Sequence, residues 1–400
     1  MKQIFPATIT SKSFAPGGSV LEHAFGESDP YTLGVEEEYM LLDGQSLDLV
    51  QHIDTVLAAI SGHELETQIN AELMQSVLEI ATPVCHTAGD VERELRRLRS
   101  YVTSIAHRDN LRVGSAGTHP FSLFERQRIT ARDRYRHLVD QMQYVARREL
   151  IFGLHIHVAV DDCEKAIQVV NGLLAHLSSL LALSASSPFW RGEPTGLSSS
   201  RQMVFAAFPR SGPPPRFRDY ADYAAVVGQL ERTGCIADYT HIWWDIRLHP
   251  RLGTVEIRVC DAVTRVEDVV ALTAYCQALV KHYSERHDAG DGIPSYHRIL
   301  TTENKWLAAR YGLEAPIMDL ATGRRNRVPV AQMVRRTLRE IEPHARELGS
   351  ERELEAIQAI LSRGNGADRQ LRVFNANRDI AEVAEEIANA TEVAAVEVEA

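Results

Sequence analysis

The 400-residue chain has little cysteine. Cys85, Cys163, Cys235, Cys260 and Cys276 are scattered, odd in number and never spaced as CxxC. That excludes a zinc ribbon and a disulfide framework and fits a reducing compartment. Neither GxGxxG nor a P-loop occurs, so the two common glycine-rich phosphate cradles are missing. Positive charge is short as well: 43 Lys and Arg stand against 54 Asp and Glu, a formal net charge of −11. A nucleic-acid binder would show the opposite balance. The N-terminus, MKQIFPATITSKSFAPGG, lacks the apolar core of a signal peptide. The most apolar stretch, NGLLAHLSSLLALSASSPFW (Asn171–Trp190), is interrupted by His176 and several serines. It reads as a buried core helix ended by Pro188, not a membrane span. The expectation is a cytoplasmic protein with no nucleic-acid or membrane partner.

What is present is material for a large core, with 44% hydrophobic and 24% charged residues. Residues 1–28 carry no periodic pattern and read as a flexible arm, 29–388 as a single catalytic domain, and 389–400 as an acidic tail. Helical periodicity covers roughly 88–108, 162–186, 264–287, 329–347 and 350–363, with Asp90, Asp161 or Asp162, and Thr264 as expected caps. Strand patterns cover Thr32–Leu42, Val77–Ala81, Leu111–Ser115, Ile151–Val160, Ile242–Leu248 and Thr254–Cys260. Strands and helices mix without strict βαβ alternation, which predicts an α+β fold with a largely antiparallel sheet.

Alternation along a strand sends residues i and i+2 to one side. In GTVEIRVCD, Val255, Ile257 and Val259 share one face and Thr254, Glu256, Arg258 and Cys260 the other. In GLHIHVAV, Leu154, Ile156, Val158 and Val160 oppose Gly153, His155 and His157. In WWDIRLHP, Ile246 and Leu248 oppose Asp245, Arg247 and His249. In GVEEEYMLLD, Glu36 and Glu38 fall together, while Glu37 points away with Val35 and Tyr39 toward some partner beyond the sheet.

One solvated face is ordinary in an antiparallel sheet, but such faces carry Lys, Thr, Gln and Ser. These carry Glu-x-Glu, His-x-His and Glu-x-Arg, the residue types of ion ligands and anion clamps. Together they predict a concave polar site backed by helices. NAELMQSVLEIAT adds Glu72 and Glu79. Glu79 sits in an apolar strand, where it needs a cation or an arginine; Glu72 reads equally as a surface acid at a helix start. Carboxylates with imidazole and no thiolate pair suit Mg²⁺ or Mn²⁺.

These segments, with GTHP (Gly117–Pro120), ALSASSPFWRGEPTGLSSSR (Ala182–Arg201) and TENKWLAARYGLEAPIMD (Thr302–Asp319), resemble the carboxylate–amine ligase family, also called glutamate–cysteine ligase type 2, of the glutamine synthetase-like superfamily. The resemblance spans roughly residues 31–385. It implies a funnel or half-barrel of antiparallel strands, with helices on the outer face and ATP and metals on the inner one. It also implies the reaction: ATP phosphorylates a carboxylate, an amine attacks the acyl phosphate, and an amide, ADP and phosphate leave. Glutamate and cysteine are the implied substrates, and the oligomeric state, a homodimer included, is left open.

Carried over by motif, Glu38, Glu72 and Glu79 resemble the ligands of one metal near the amino-acid substrate. Glu36, His155 and Glu256 resemble those of a second on the ATP phosphates. Arg258 and Arg247 are the implied phosphate clamps, and His157, Arg201, Asn304 and Arg310 the implied substrate contacts. The Arg-rich segment Glu125–Met142 reads either as a cover over the pocket or as a solvated, ion-paired helix. Two other readings keep the same residues: a metal-dependent small-molecule kinase that makes no amide, and a catalytically silent nucleotide-binding relative.

Overall fold

The computed structural model describes residues 21–294, 296–320 and 326–393. Its centre is a sheet of β1 (Leu33–Asp43), β2 (Ile69–Ala71), β3 (Val77–Ala81), β4 (Leu111–Gly114), β5 (Gly153–Ala159), β6 (Ile246–His249) and β7 (Thr254–Asp261). The strands run in the order β6-β7-β5-β1-β3-β2, and every pairing is antiparallel. The long β1 is shared: β5 pairs its first half, β4 its last residues, and β3 its middle from the other side. The fold is α+β, as the mixed periodicities predict.

The apolar face contains Val35, Leu154, Ile156, Val158, Val255 and Ile257, all buried. Behind it pack α1 (Ala88–Arg108), α3 (Cys163–Leu173) and α5 (Val266–Asp288), with α2 (Asp133–Met142) lying elsewhere, at the mouth of the polar face. The chain also forms α4 (Leu177–Ser184), α6 (Arg298–Tyr311), α7 (Val330–Glu347), α8 (Gly366–Asn377) and α9 (Ile380–Thr391). The apolar stretch Cys163–Ser184 is long enough to cross a membrane by length and composition, yet most of it is buried in the protein. A turn of 3₁₀ helix at Leu174–His176 divides it into α3 and α4, where a single helix was expected.

Several details differ from the sequence expectations. The cap of α1 is Thr87, and Asp90 is its partner three residues on, closing a capping box. Asp162 does cap α3. Helix α5 begins after Arg265, and the Thr264 carbonyl instead accepts from Arg99. The strand expected at Ile242–Leu248 breaks at Asp245; Trp243–Trp244 pairs with Ser211–Gly212 and only Ile246–His249 joins the main sheet.

Of the expected N-terminal arm, residues 1–20 lie outside the described residues, while Ala24 and Phe25 are buried and the Ala24 amide donates to the Pro250 carbonyl. At the other end α9 runs past the expected boundary at 389, Thr391 is buried, and Glu392 accepts from Arg112 at 2.7 Å. Residues 394–400 lie outside the described residues.

A bulge interrupts β7. Ile257 faces Ile156 but Cys260 faces Leu154, three steps on β7 against two on β5. The Val259 carbonyl freed there accepts from Gln202 at 2.6 Å, and the Arg258 amide donates to the Asp245 carbonyl at 2.8 Å. The bulge reverses the alternation. Cys260 therefore joins the apolar side with Leu154, contrary to the face expected for it, and Asp261 faces Gly153.

Candidate active site

Register lays out the polar face in rows. Arg247 stands opposite Glu256, and Glu256 opposite His157. One pleat on, His155 stands opposite Glu36. One pleat further, Glu38 stands opposite Glu79, which also faces Asn70. The rows floor an open funnel whose cavity is about 140 Å³.

Glu36, Glu38, Glu72, Glu79, His155, Arg201, Arg247 and Arg258 all line it. Glu72 is no helix-start acid: it follows β2 in the turn toward β3, its carboxylate accepting from the Leu73 amide at 2.7 Å. From the Arg-rich segment, Arg134, Tyr135 and Leu138 of α2 also reach the funnel. Ile151, Phe205, Phe208 and Trp243 form an apolar wall.

Glu256 and His157 lie deeper, with side chains 1% and 5% exposed. Glu256 accepts from both Arg247 and Arg258, and Arg247 also donates to the Thr240 and Ile242 carbonyls at 3.0 and 2.9 Å. His157 Nδ1 meets the Thr254 hydroxyl at 3.0 Å, while its Nε2 lies 3.7 Å from Glu36 and 3.9 Å from Glu256. That Nε2 is buried and has no hydrogen-bond partner. Ligand atoms of Glu36, His157 and Glu256 lie within 4.8 Å of one another, and so do those of Glu36, Glu79 and His155. The geometry thus joins Glu256 to His157, where the sequence reading set Glu256 with His155.

Asn304 and Arg310 do not line the funnel. Both polar atoms of the Asn304 amide bind the Met318 backbone, each at 2.8 Å, and Arg310 donates to the Gly196 carbonyl. They tie α6 to the short strand Pro316–Met318 and to the turn at Gly196. The residue of α6 that reaches toward the sheet is Lys305, paired with Asp245.

Burial opposes charge on every acid here, and neighbours decide the outcome. Against burial, the His155 hydrogen bond and the His157 and His155 rings hold Glu36 down at about 2. Against burial, Arg247 and Arg258 hold Glu256 well below the usual carboxylate range. Burial and then the Arg258 charge push His155 down to about 4, which leaves its imidazole neutral, the form that ligates ions. On the other side of the funnel the opposing charges and hydrogen bonds do not overcome burial. Burial and the Glu72 charge push Glu38 up to about 7. Burial also raises Glu72, and burial with Glu36, Glu72 and Glu38 raises Glu79 well above its usual range. Among the described residues no arginine or lysine pairs with Glu79. Crowded carboxyls with no salt bridge among the described residues fit a hard divalent ion.

Two features escaped the sequence reading. The buried Asp261 carboxylate takes hydrogen bonds from the Ser187 and Ser199 hydroxyls, at 2.7 and 2.8 Å, and from the Ser186 amide at 3.0 Å. It ties together the two serine-rich segments that deliver Arg201. Glu149 also lines the funnel; its one signal in sequence is an acid set against the apolar run Leu150–Phe152, the same anomaly that marks Glu79.

The profile of glutamate–cysteine ligase family 2 (GCS2) matches residues 32–391. A Rubrobacter xylanophilus protein provisionally named glutamate–cysteine ligase 2-1 is 43% identical over 363 residues, covering 91% of this chain and 95% of its own. A Solibacter usitatus protein provisionally named glutamate–cysteine ligase 2 is 40% identical over 361 residues, covering 90% and 93%. Among solved structures, the glutamate–cysteine ligase of Francisella tularensis in complex with AMP is similar at a TM-score of 0.65 and 13% identity, over 92% of this chain and 91% of that one. A bifunctional glutathione synthetase of Pasteurella multocida gives 0.64 at 15% identity, over 90% and 53%. At such identities the two structures speak for the fold.

Proposed function

The chain belongs to glutamate–cysteine ligase family 2, and from that premise we propose that it is an ATP-dependent carboxylate–amine ligase. The carboxylate is the γ-carboxyl of glutamate and the amine is cysteine. The observation that carries this reading is the convergence of acids, a neutral imidazole and two guanidiniums on one funnel floor.

In this reading a carboxylate oxygen of the first substrate bonds to the γ-phosphorus of ATP and ADP leaves. The neutral amine nitrogen then bonds to the acyl carbon, the C–O bond breaks toward phosphate, and the nitrogen gives up a proton to the departing phosphate. Phosphoryl transfer needs alignment and charge neutralisation more than covalent help. Arg258 and Arg247 are the fixed cations of the site. Both lie on Glu256, and that ties their position to the sheet, so little reorganisation is needed when phosphate charge arrives. Glu38, Glu72 and Glu79 would hold one divalent ion, and Glu36 and Glu256 a second, with His155 or His157. Mg²⁺ or Mn²⁺ bound there would neutralise the phosphates. The apolar wall keeps water from the acyl phosphate. The scattered thiols take no part, and a cytoplasmic setting would keep them reduced.

The test is ADP release from the purified chain with ATP and Mg²⁺. Release only when glutamate and an amine are both present, with the amide found by mass, supports the ligase. Release without the amine makes it a kinase, and tight ATP binding without turnover makes it a silent relative.

A further inference from the structure

Lys305 and Asp245 form a buried ion pair beside the funnel. The Lys305 ammonium donates to both carboxylate oxygens, at 2.6 and 2.7 Å, and the two side chains are 11% and 1% exposed. Neither residue lines the funnel. Taking two charges out of water costs about as much as their attraction returns, so a buried pair is weak evidence of added stability. What such a pair does well is fix a position.

Asp245 sits at a junction. Trp243–Trp244 pairs with Ser211–Gly212 and Ile246–His249 joins the main sheet, so the residue between them belongs to neither ladder. Its carbonyl accepts from the Arg258 amide at 2.8 Å. Arg258 is irregular as well. The β6–β7 pairing ends at Ile246 opposite Ile257, and toward β5 the register breaks between Ile257 and Cys260. Arg258 therefore lies beyond regular pairing on both sides, and the Asp245 carbonyl is what holds its backbone N–H.

The carboxylate and the carbonyl of Asp245 share one Cα. Tying down the first limits rotation of the peptide plane that carries the second. Lys305 itself stands on a fixed post. In α6, Asn304 binds the Met318 backbone, and the Ala309 carbonyl accepts from the Ser198 and Ser199 amides at 2.8 and 2.9 Å. At the far end of these contacts, the Arg258 guanidinium lines the funnel, rests on Glu256 and keeps its Nε without a hydrogen-bond partner. An open N–H edge on an anchored guanidinium suits a phosphoryl oxygen.

We propose that Lys305 is a positioning residue for Arg258. It pins the Asp245 carboxylate, Asp245 holds the Arg258 amide, and the guanidinium is thereby aimed at the transferring phosphoryl group. Only that last step rests on the ligase reading above.

Lys305→Met leaves the Asp245 charge buried and unpaired and should lower the melting temperature. Adding Asp245→Asn removes both charges and should restore most of it. Turnover should not follow. In both variants kcat for ADP release with ATP, Mg²⁺, glutamate and cysteine should fall about 10–100-fold, the cost of a small misplacement at the reacting centre. The KM for ATP should stay near its wild-type value. Lys305→Arg, which keeps a cation on α6, should regain part of the loss. A double variant whose kcat returns together with its melting temperature overturns the proposal, as does a raised KM for ATP with kcat intact.

A second measurement needs no amide formation. ADP with Mg²⁺ and aluminium fluoride mimics the transferring phosphoryl group. Lys305→Met should weaken its binding about 10–100-fold and leave ATP affinity near that of the wild type; equal affinities for the mimic overturn the proposal. A wild type that makes no amide while this difference persists overturns the ligase reading alone.

Discussion

Glu37 and Arg99 meet in the interior, each side chain 1% exposed. Arg99 Nε donates to Glu37 at 3.1 Å, and the Tyr39 hydroxyl donates to the same carboxylate. The guanidinium also reaches the carbonyls of Val263, Thr264 and Thr391, so one residue ties β1 to the approach of α5 and the end of α9. Among the three acids that open β1, this one is structural and faces away from the funnel.

Arg99→Ala would leave a buried carboxylate without its cation, which costs about 3–5 kcal/mol. Replacing both partners, as in Glu37→Leu with Arg99→Met, should recover much of that loss. Urea unfolding measures both, and a single variant as stable as the wild type would show that the pair is dispensable.

Glu256→Gln separates charge from shape. The amide keeps an acceptor for one guanidinium but loses the charge that steadies Arg247 and Arg258. ATP turnover should fall about 10²–10³-fold, with a modest drop in melting temperature from unpaired charge. Undiminished turnover would mean the clamp has been placed on the wrong residues.

Stability should depend on pH in a direction set by the proton-holding acids. Glu38 is pushed to about 7, Glu149 to about 8, and Glu79 well above the usual range. Their unfolded counterparts have lost the proton by then, so above the ordinary histidine value of 6.5 the folded state binds more protons than the unfolded one. Stability therefore declines as pH rises from 6.5 toward 8, by about 1.4 kcal/mol per unit for each group whose folded form still holds its proton, with Glu38 dropping out above about 7 and Glu149 above about 8. Glu36 and Glu256, held low, add no slope in this window. Mg²⁺ should displace the protons and flatten the decline. Thermal melts with EDTA and with Mg²⁺ decide it; a metal-free protein that gains stability over this range would contradict the assignment.

Gly153 is the one glycine of β5, and an added side chain would crowd the site. A Cβ there would come within 2.6 Å of Arg201 Nη2 and 3.0 Å of His155 Nε2. Gly153→Ala should fold, since its backbone lies in an ordinary strand, but it displaces the guanidinium. The expected result is a raised KM for the amino-acid substrate with ATP affinity little changed, read by steady-state kinetics.

The floor of the site was legible because strands alternate: Glu36, Glu38, His155, His157, Glu256 and Arg258 could be set on one face by counting in twos. What needed the structure was of three kinds. Arg99 lies 62 positions from Glu37, and nothing local joins them. Glu149 sits in an irregular segment, where no period tells which way a side chain points. Asn304 and Arg310 lie on a helix whose polar positions serve loop anchoring as readily as ligand contact, and spacing cannot separate the two. The helices at 366–391 drew no helical expectation, although Val383, Ala384, Ile387 and Ala388 mark a buried face at helical spacing.

The bulge in β7 amounts to a change of reading frame partway along a strand. Before it, even-numbered residues from Thr254 to Arg258 look into the funnel; after it, the odd-numbered Asp261 takes their side. Deleting Val259 would remove the extra residue and leave Asp261 opposite Gly153, but it would take away the carbonyl that holds Gln202, the neighbour of Arg201. The spare residue therefore serves the segment that carries Arg201 through its backbone, while the strand on either side keeps its faces.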